Sequence, residues 1–148
     1  MAAPEPQFDE LYRELILDHY RSPRNKGSLG SPTHCGEGAN PVCGDEIRLA
    51  LVVNNGEIED IAFDGMGCSI SQSSASMMTD RIKGRGTDEA IKVLKLFEAM
   101  MTEEAEPDRE IGDLEALRGV AKFPVRVKCA MLSWKVLDDS LQGTYSDI

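Results

Sequence analysis

The chain has 148 residues, 41% apolar and 28% charged, a composition that suits one globular core with no need of disulfide staples. Twenty-six acidic against 16 basic side chains leave a formal charge of −10, which repels a phosphate backbone, so no nucleic-acid partner is expected. No apolar run approaches the roughly 18 residues that span a bilayer, and residues 1–7 hold no basic stretch leading into an apolar one. The expected setting is the cytoplasm, off the membrane.

After a lead over 1–7 that is expected to be disordered, 8–20 reads as an amphipathic helix. Phe8, Leu11, Leu15 and His19 recur at helical spacing, with Ile16 and Leu17 widening the stripe. Ser22-Pro23 and Gly27 stop it. Residues 28–42 are rich in Gly, Ser, Pro and Thr and predict a loop with room for one short strand. Ile47, Leu49, Leu51 and Val53 then alternate as a half-buried strand, Asn55-Gly56 signals a two-residue hairpin turn, and 58–63 returns.

A helix is predicted over 69–83, with Ile70, Ser74, Met77, Met78 and Ile82 on its inner face, and Gly84-Arg85-Gly86 breaks it. Thr87 is predicted to cap a further helix to about 101 that carries Ile91, Leu94, Lys95 and Glu98. The acidic stretch 102–109 reads as exposed loop, with Glu103, Glu104 and Glu106 solvated, and 113–117 as a short helix. The last helix is placed at 128–141, with Met131, Leu132 and Val136 among its packed residues and Trp134 on one flank. One helix, then strands, then helices alone predict a single α+β domain over 1–148: a small antiparallel sheet of about three strands with helices packed on one face.

Four cysteines in a chain with no secretory start point to reduced thiols or metal ligands. Three stand in suggestive surroundings. Cys43 lies in Asn40-Pro41-Val42-Cys43-Gly44-Asp45, a thiolate and a carboxylate two residues apart. Cys68 lies in Gly65-Met66-Gly67-Cys68-Ser69-Ile70-Ser71, a glycine-hinged approach to a helix start. Cys129 follows Arg126-Val127-Lys128, two cations beside the sulfur. Cys43 and Asp45 enter the hairpin and Cys68 leaves it, so all three belong at one end of the sheet. Cys68 and Cys129 are both expected in the first turn of a helix, where unpaired N–H groups favour thiolate. Three sulfurs and one oxygen suit a metal held open to solvent, with Asp45 the harder, weaker donor. Arg126 and Lys128 are expected to line the site, pairing with Asp45 or screening the thiolates.

Other candidates carry less. Cys35, next to His34, reads as an extra ligand or a resolving thiol. His19 reads as a packed or capping histidine, and Met77-Met78 and Met100-Met101 as core. Two other metal chemistries compete on the same residues: a zinc hydrolase, which lacks a histidine or glutamate base placed by any motif, and a structural zinc site, for which an aspartate is an odd fourth ligand.

The same blocks, with Leu11-Tyr12, Asp18-His19-Tyr20 and Pro23-Arg24-Asn25 before them and Leu132 and Trp134 after, resemble the iron–sulfur cluster assembly scaffolds of the IscU and SufU type. That resemblance implies that Cys43, Asp45, Cys68 and Cys129 bind zinc or a nascent, transient iron–sulfur cluster. It also implies a cysteine desulfurase as sulfur donor and iron–sulfur carrier or recipient proteins downstream. Lys128 stands where the IscU branch has histidine, and Lys122-Phe123-Pro124-Val125-Arg126 stands where that branch has Leu-Pro-Pro-Val-Lys, so docking of an Hsp70-class chaperone is not carried over. These departures, with a helical insertion over about 84–118, place the chain nearer the SufU branch. There the resemblance implies a zinc-bound sulfur acceptor whose Cys43 receives the persulfide.

Overall fold

The computed structural model describes residues 10–143. The expected disordered lead over 1–7, and the first two residues of the expected first helix, lie outside them. The described chain runs α1 (Glu10–Arg21), β1 (His34–Asn40), β2 (Asp45–Asn54), β3 (Glu57–Met66), α2 (Ser69–Ile82), α3 (Thr87–Thr102), a 3₁₀ segment (Arg109–Lys122) and α4 (Pro124–Gln142). No helix among them is long and apolar enough to cross a membrane.

The sheet is antiparallel in the order β1-β2-β3. Its β2–β3 turn is Asn55-Gly56, both at positive φ (53° and 76°), the conformation whose twist matches the flanking strands. Along β2, Asp45, Ile47, Leu49 and Leu51 face the core while Glu46 and Arg48 face out, as the alternation predicts. β1 is longer than expected because its inward positions are not apolar. Gly36 and Gly38 hold them, and helix α4 lies directly on their backbone: a β-carbon at Gly36 would collide with Ser140 Oγ, and one at Gly38 with Val136. Glycine serves close approach here, and it hides the strand from any hydrophobic pattern.

Helix α2 is the centre of the molecule. Its expected inner residues are buried, but so are Ser71, Gln72, Ser73, Ala75, Ser76 and Thr79, because elements pack all around it. The small hydroxyls admit neighbours closely and are satisfied: Ser74 Oγ donates to Ala130 O (2.7 Å), Thr79 Oγ1 to Ser76 O (2.9 Å), and Ser76 Oγ accepts from Arg24 N (2.8 Å).

Several boundaries and faces differ from expectation. Helix α1 buries Ile16 and His19, with Tyr12 and Leu15 packed beside them, while Leu11 is exposed. In α3 the buried stripe is Ala90, Val93, Leu94, Phe97, Met100 and Met101. Gly86, not Thr87, is its N-cap residue. The short helix expected at 113–117 is a longer 3₁₀ segment, started by Asp108 accepting from Glu110 N (2.9 Å) and kinked at Gly112 (φ 56°). Trp134 is fully buried, stacked on Phe97 with ring centroids 5.1 Å apart and donating from Nε1 to Ser74 Oγ (3.2 Å). Finally, α4 begins at Pro124 rather than near Lys128. Proline is pre-set for the first helical position, where its missing N–H costs nothing.

Candidate metal centre

The ends of four elements meet at one edge of the sheet. Asn40 closes β1 and pairs with Asp45, which opens β2, and the turn between them carries Cys43. Glu46 pairs with Met66 at the end of β3, so Cys68 emerges beside Asp45. Helix α4 descends along β1, with Ser140 and Val136 against Gly36, Val136 and Leu132 against Gly38, and Cys129 within hydrogen-bond reach of Asn40.

Cys43, Asp45 and Cys129 bring one ligand atom each within 4.8 Å of one another. Two ligands on one zinc lie at most about 4.6 Å apart, twice the ~2.3 Å Zn–S bond, so the trio fits a single ion to within a few tenths of an ångström. Two soft sulfurs and a carboxylate oxygen are also a chemically sound set for zinc. Cys68 is not one of the trio, but its sulfur interacts electrostatically with the Cys129 thiol. Its own N–H donates to Asp45 Oδ1 (2.9 Å).

Burial grades the donors. Asp45 and Cys129 are closed off from solvent, whereas Cys43 and Cys68 are partly accessible. Cys68 is the N-cap of α2, and its sulfur accepts from Ser71 N (3.5 Å). Its pKa is lowered to about 6, first by the Cys129 thiol, then by Ser71 N–H and the charge of Arg126, against burial and the Asp45 carboxylate. Cys129 moves the opposite way: its thiol is held protonated by the Cys68 sulfur, by burial and by the Cys43 sulfur (Sγ–Sγ 2.8 Å), the two sulfurs competing for its one hydrogen. The expectation that both sulfurs sit in a first helical turn therefore holds only for Cys68. With α4 starting at Pro124, Cys129 lies in the second turn, beyond the free N–H groups.

Arg126 is buried and places Nη1 3.7 Å from Cys43 Sγ, while Lys128 is exposed. Cys35 pairs with Ala50 on the outward face of the sheet, opposite in parity to Asn40, and lines a cavity with Gly27, Leu29 and Pro32. It cannot join the centre without a register shift. His19 is buried on α1 with Nδ1 2.7 Å from Ser76 Oγ, a packed histidine.

Two further residues of the centre lie within its cysteine motifs without being ligands themselves. Asn40 Nδ2 lies 3.4 Å from Asp45 Oδ2 and 3.6 Å from Cys129 Sγ. Ser71 Oγ lies 3.1 Å from Asp45 Oδ1. The spacing Cys68-x-x-Ser71, an N-cap and its third helical residue, is the signal that locates Ser71. Asn40 has none without the β1–β2 register.

A model of the NifU-like N-terminal domain matches residues 11–130. The chain belongs to that family. The zinc-dependent sulfurtransferase SufU of Bacillus subtilis is 50% identical over 132 residues, 88% of this chain and 89% of that one. The iron–sulfur cluster assembly scaffold protein IscU of Streptococcus pyogenes is 39% identical over 137 residues, 92% of this chain and 86% of that one. In structure, the SUF-system protein FiSufU of Fervidobacterium islandicum superposes with a TM-score of 0.81 at 35% identity, covering 86% of this chain and 94% of that one. In this NifU-like chain the three-stranded sheet with helices on its inner face is thus the fold that the sequence pattern predicts.

Proposed function

We propose that this protein is an iron–sulfur cluster assembly protein of the cytosol that accepts sulfur at Cys43 from a cysteine desulfurase. Cys43, Asp45, Cys68 and Cys129 would hold zinc or a nascent cluster, and iron–sulfur carrier or recipient proteins would take the product. The observation that carries the reading is the grading of the donors: Cys43 alone combines a turn position, partial access and a guanidinium 3.7 Å from its sulfur, while Asp45 and Cys129 are buried behind it.

The chemistry is thiol exchange. The Cys43 thiolate attacks the outer sulfur of the donor's persulfide; a new S–S bond forms on Cys43, the donor's S–S bond breaks, and the donor leaves as thiolate with the electron pair. No oxidant is consumed. Bound zinc would keep its thiolate ligands deprotonated. The Arg126 guanidinium, with Nη1 3.7 Å from Cys43 Sγ, is placed to hydrogen-bond that sulfur. Gly44, at φ 70°, gives the turn a conformation that side chains resist.

A protein donor is favoured by what rims the site. Val42, Met66 and Val125 are 66%, 63% and 41% exposed, and each is within four residues of a proposed ligand. Such an apolar rim invites a partner's surface.

The test is metal content as purified, followed by sulfur transfer from a cysteine desulfurase before and after zinc removal. Tightly held zinc with zinc-dependent persulfide on Cys43 establishes the acceptor. Transfer that survives zinc removal, with cluster assembly on the apo-protein, makes it a scaffold first. Normal sulfur acceptance by zinc-loaded Cys43→Ser overturns the role of Cys43.

A further inference from the structure

Two buried polar side chains at the centre each serve two ligands. The Asn40 amide presents both of its hydrogens, one toward Asp45 Oδ2 (3.4 Å) and one toward Cys129 Sγ (3.6 Å). Ser71 Oγ lies 3.1 Å from Asp45 Oδ1 and 3.2 Å from the Cys68 carbonyl oxygen, two acceptors for its one hydroxyl hydrogen, and its backbone N–H donates to Cys68 Sγ (3.5 Å). With the Cys68 N–H also on Asp45 Oδ1 (2.9 Å), both carboxylate oxygens are taken up and three ligands are tied together through Asp45. Asn40 and Ser71 are 7% and 1% exposed, so water does not compete for these bonds. Neither residue is bonded to Cys43, whose sulfur contacts Arg126 Nη1 and Cys129 Sγ.

Space reinforces the tie. Gly67 (φ 155°) lies where a β-carbon would strike both Asp45 Oδ1 and Ser71 Oγ, so the backbone itself closes over the carboxylate. The strands add a fixed base, since Asn40 and Asp45 are register partners at the end of the β1–β2 ladder.

We propose that Asn40 and Ser71 are positioning residues that brace Asp45, Cys68 and Cys129 as a tripod, so that the site keeps its metal while Cys43 departs to take sulfur. This deepens the acceptor reading and rests on it for its purpose. The brace itself is a property of three ligands and two outer side chains. Asp45 is thereby a held ligand rather than a loose one, and the turn carrying Cys43 is the part free to move.

The experiment isolates the tripod by using Cys43→Ser full-length protein and measuring zinc affinity against a chromophoric chelator, with the Co²⁺ charge-transfer and ligand-field spectrum as second readout. Cys43→Ser is expected to retain zinc. Adding Ser71→Ala or Asn40→Ala should weaken it about 10-fold or more, the usual scale for losing an outer-shell partner, and alter the Co²⁺ spectrum. The same changes should cost less in protein that still has Cys43, and Ser71→Thr should restore affinity. Circular dichroism and the melting temperature of each metal-free variant report folding separately. Unchanged affinity in a folded double variant overturns the brace. So does a loss that merely tracks a lower metal-free melting temperature and is not rescued by threonine, and so does failure of Cys43→Ser to hold zinc at all. If the affinities behave as expected but unaltered protein takes no sulfur from a desulfurase, the acceptor reading fails and the brace stands.

Discussion

Ser140 on α4 rests against the backbone of Gly36 on β1, with no room between them for even a methyl group. The same helix, three turns toward its start, delivers Cys129 to Asn40 at the end of that strand. The packing distance at Gly36 therefore sets where one proposed ligand sits. Gly36→Val forces β1 and α4 apart. Overpacking of this kind costs about 1–3 kcal/mol, so the denaturant midpoint should fall at unchanged slope. Zinc affinity should fall with it, as Cys129 is withdrawn from Asp45.

Gly67 makes a sharper probe, because the strain falls on the centre and not on the core. At φ 155°, alanine is disfavoured by the backbone, and its methyl would meet Asp45 Oδ1 and Ser71 Oγ. A strained non-glycine residue in such a region costs about 1–3 kcal/mol. Gly67→Ala should lower zinc affinity at least about 10-fold, by the scale on which disturbed outer-shell contacts act. Competition against a chelator reads this directly. Normal affinity would show that the carboxylate can be re-aimed freely.

Val42 and Met66 should matter only to a macromolecular donor. Val42→Asp and Met66→Glu change exposed side chains at the rim, 66% and 63% accessible, and leave every proposed ligand in place. Sulfur uptake from a cysteine desulfurase should show a raised KM with kcat little changed. Uptake from a low-molecular-weight persulfide should stay at the unaltered rate. Equal loss with both donors would place the defect in the centre and not in docking.

His19 supplies a pH dependence with a definite sign. Burial lowers its pKa below the ordinary 6.5, helped by the Arg24 charge and opposed by Asp80, Asp18 and Asp113. The unfolded chain thus takes up the proton first as pH falls. The stability contributed by neutral His19 is complete above pH 6.5 and is lost as pH drops through the folded value. Unfolding free energy of metal-free protein should decline with falling pH across that interval. In His19→Gln the decline should be shallower, and identical slopes would count against His19 as its source.

Much of this molecule is legible from local chemistry. Asn55-Gly56 could hardly be anything but a tight hairpin turn, because both residues tolerate positive φ where side chains in general do not. The β2 alternation sets which face is buried, and the hairpin then brings Asp45 and Cys68 to one edge whatever else the chain does. Cys68 could be placed at a helix start because Gly67 ends the strand beside it.

Other features were decided only by tertiary packing. β1 carries glycine where a strand pattern needs apolar residues, since its inner face is covered by helix backbone and not by side chains. Helix α2 buries serines on every side, which no single-face periodicity can express. The start of α4 lies at Pro124 because the preceding 3₁₀ segment ends there, and that moved Cys129 out of the first turn. The sequence by itself determined which residues could bind a metal, because donor chemistry belongs to each side chain alone. Which of them are braced, which are buried and which stay partly accessible depended on contacts such as Asn40 with Cys129 and Ser71 with Asp45, which exist only once distant segments are folded together.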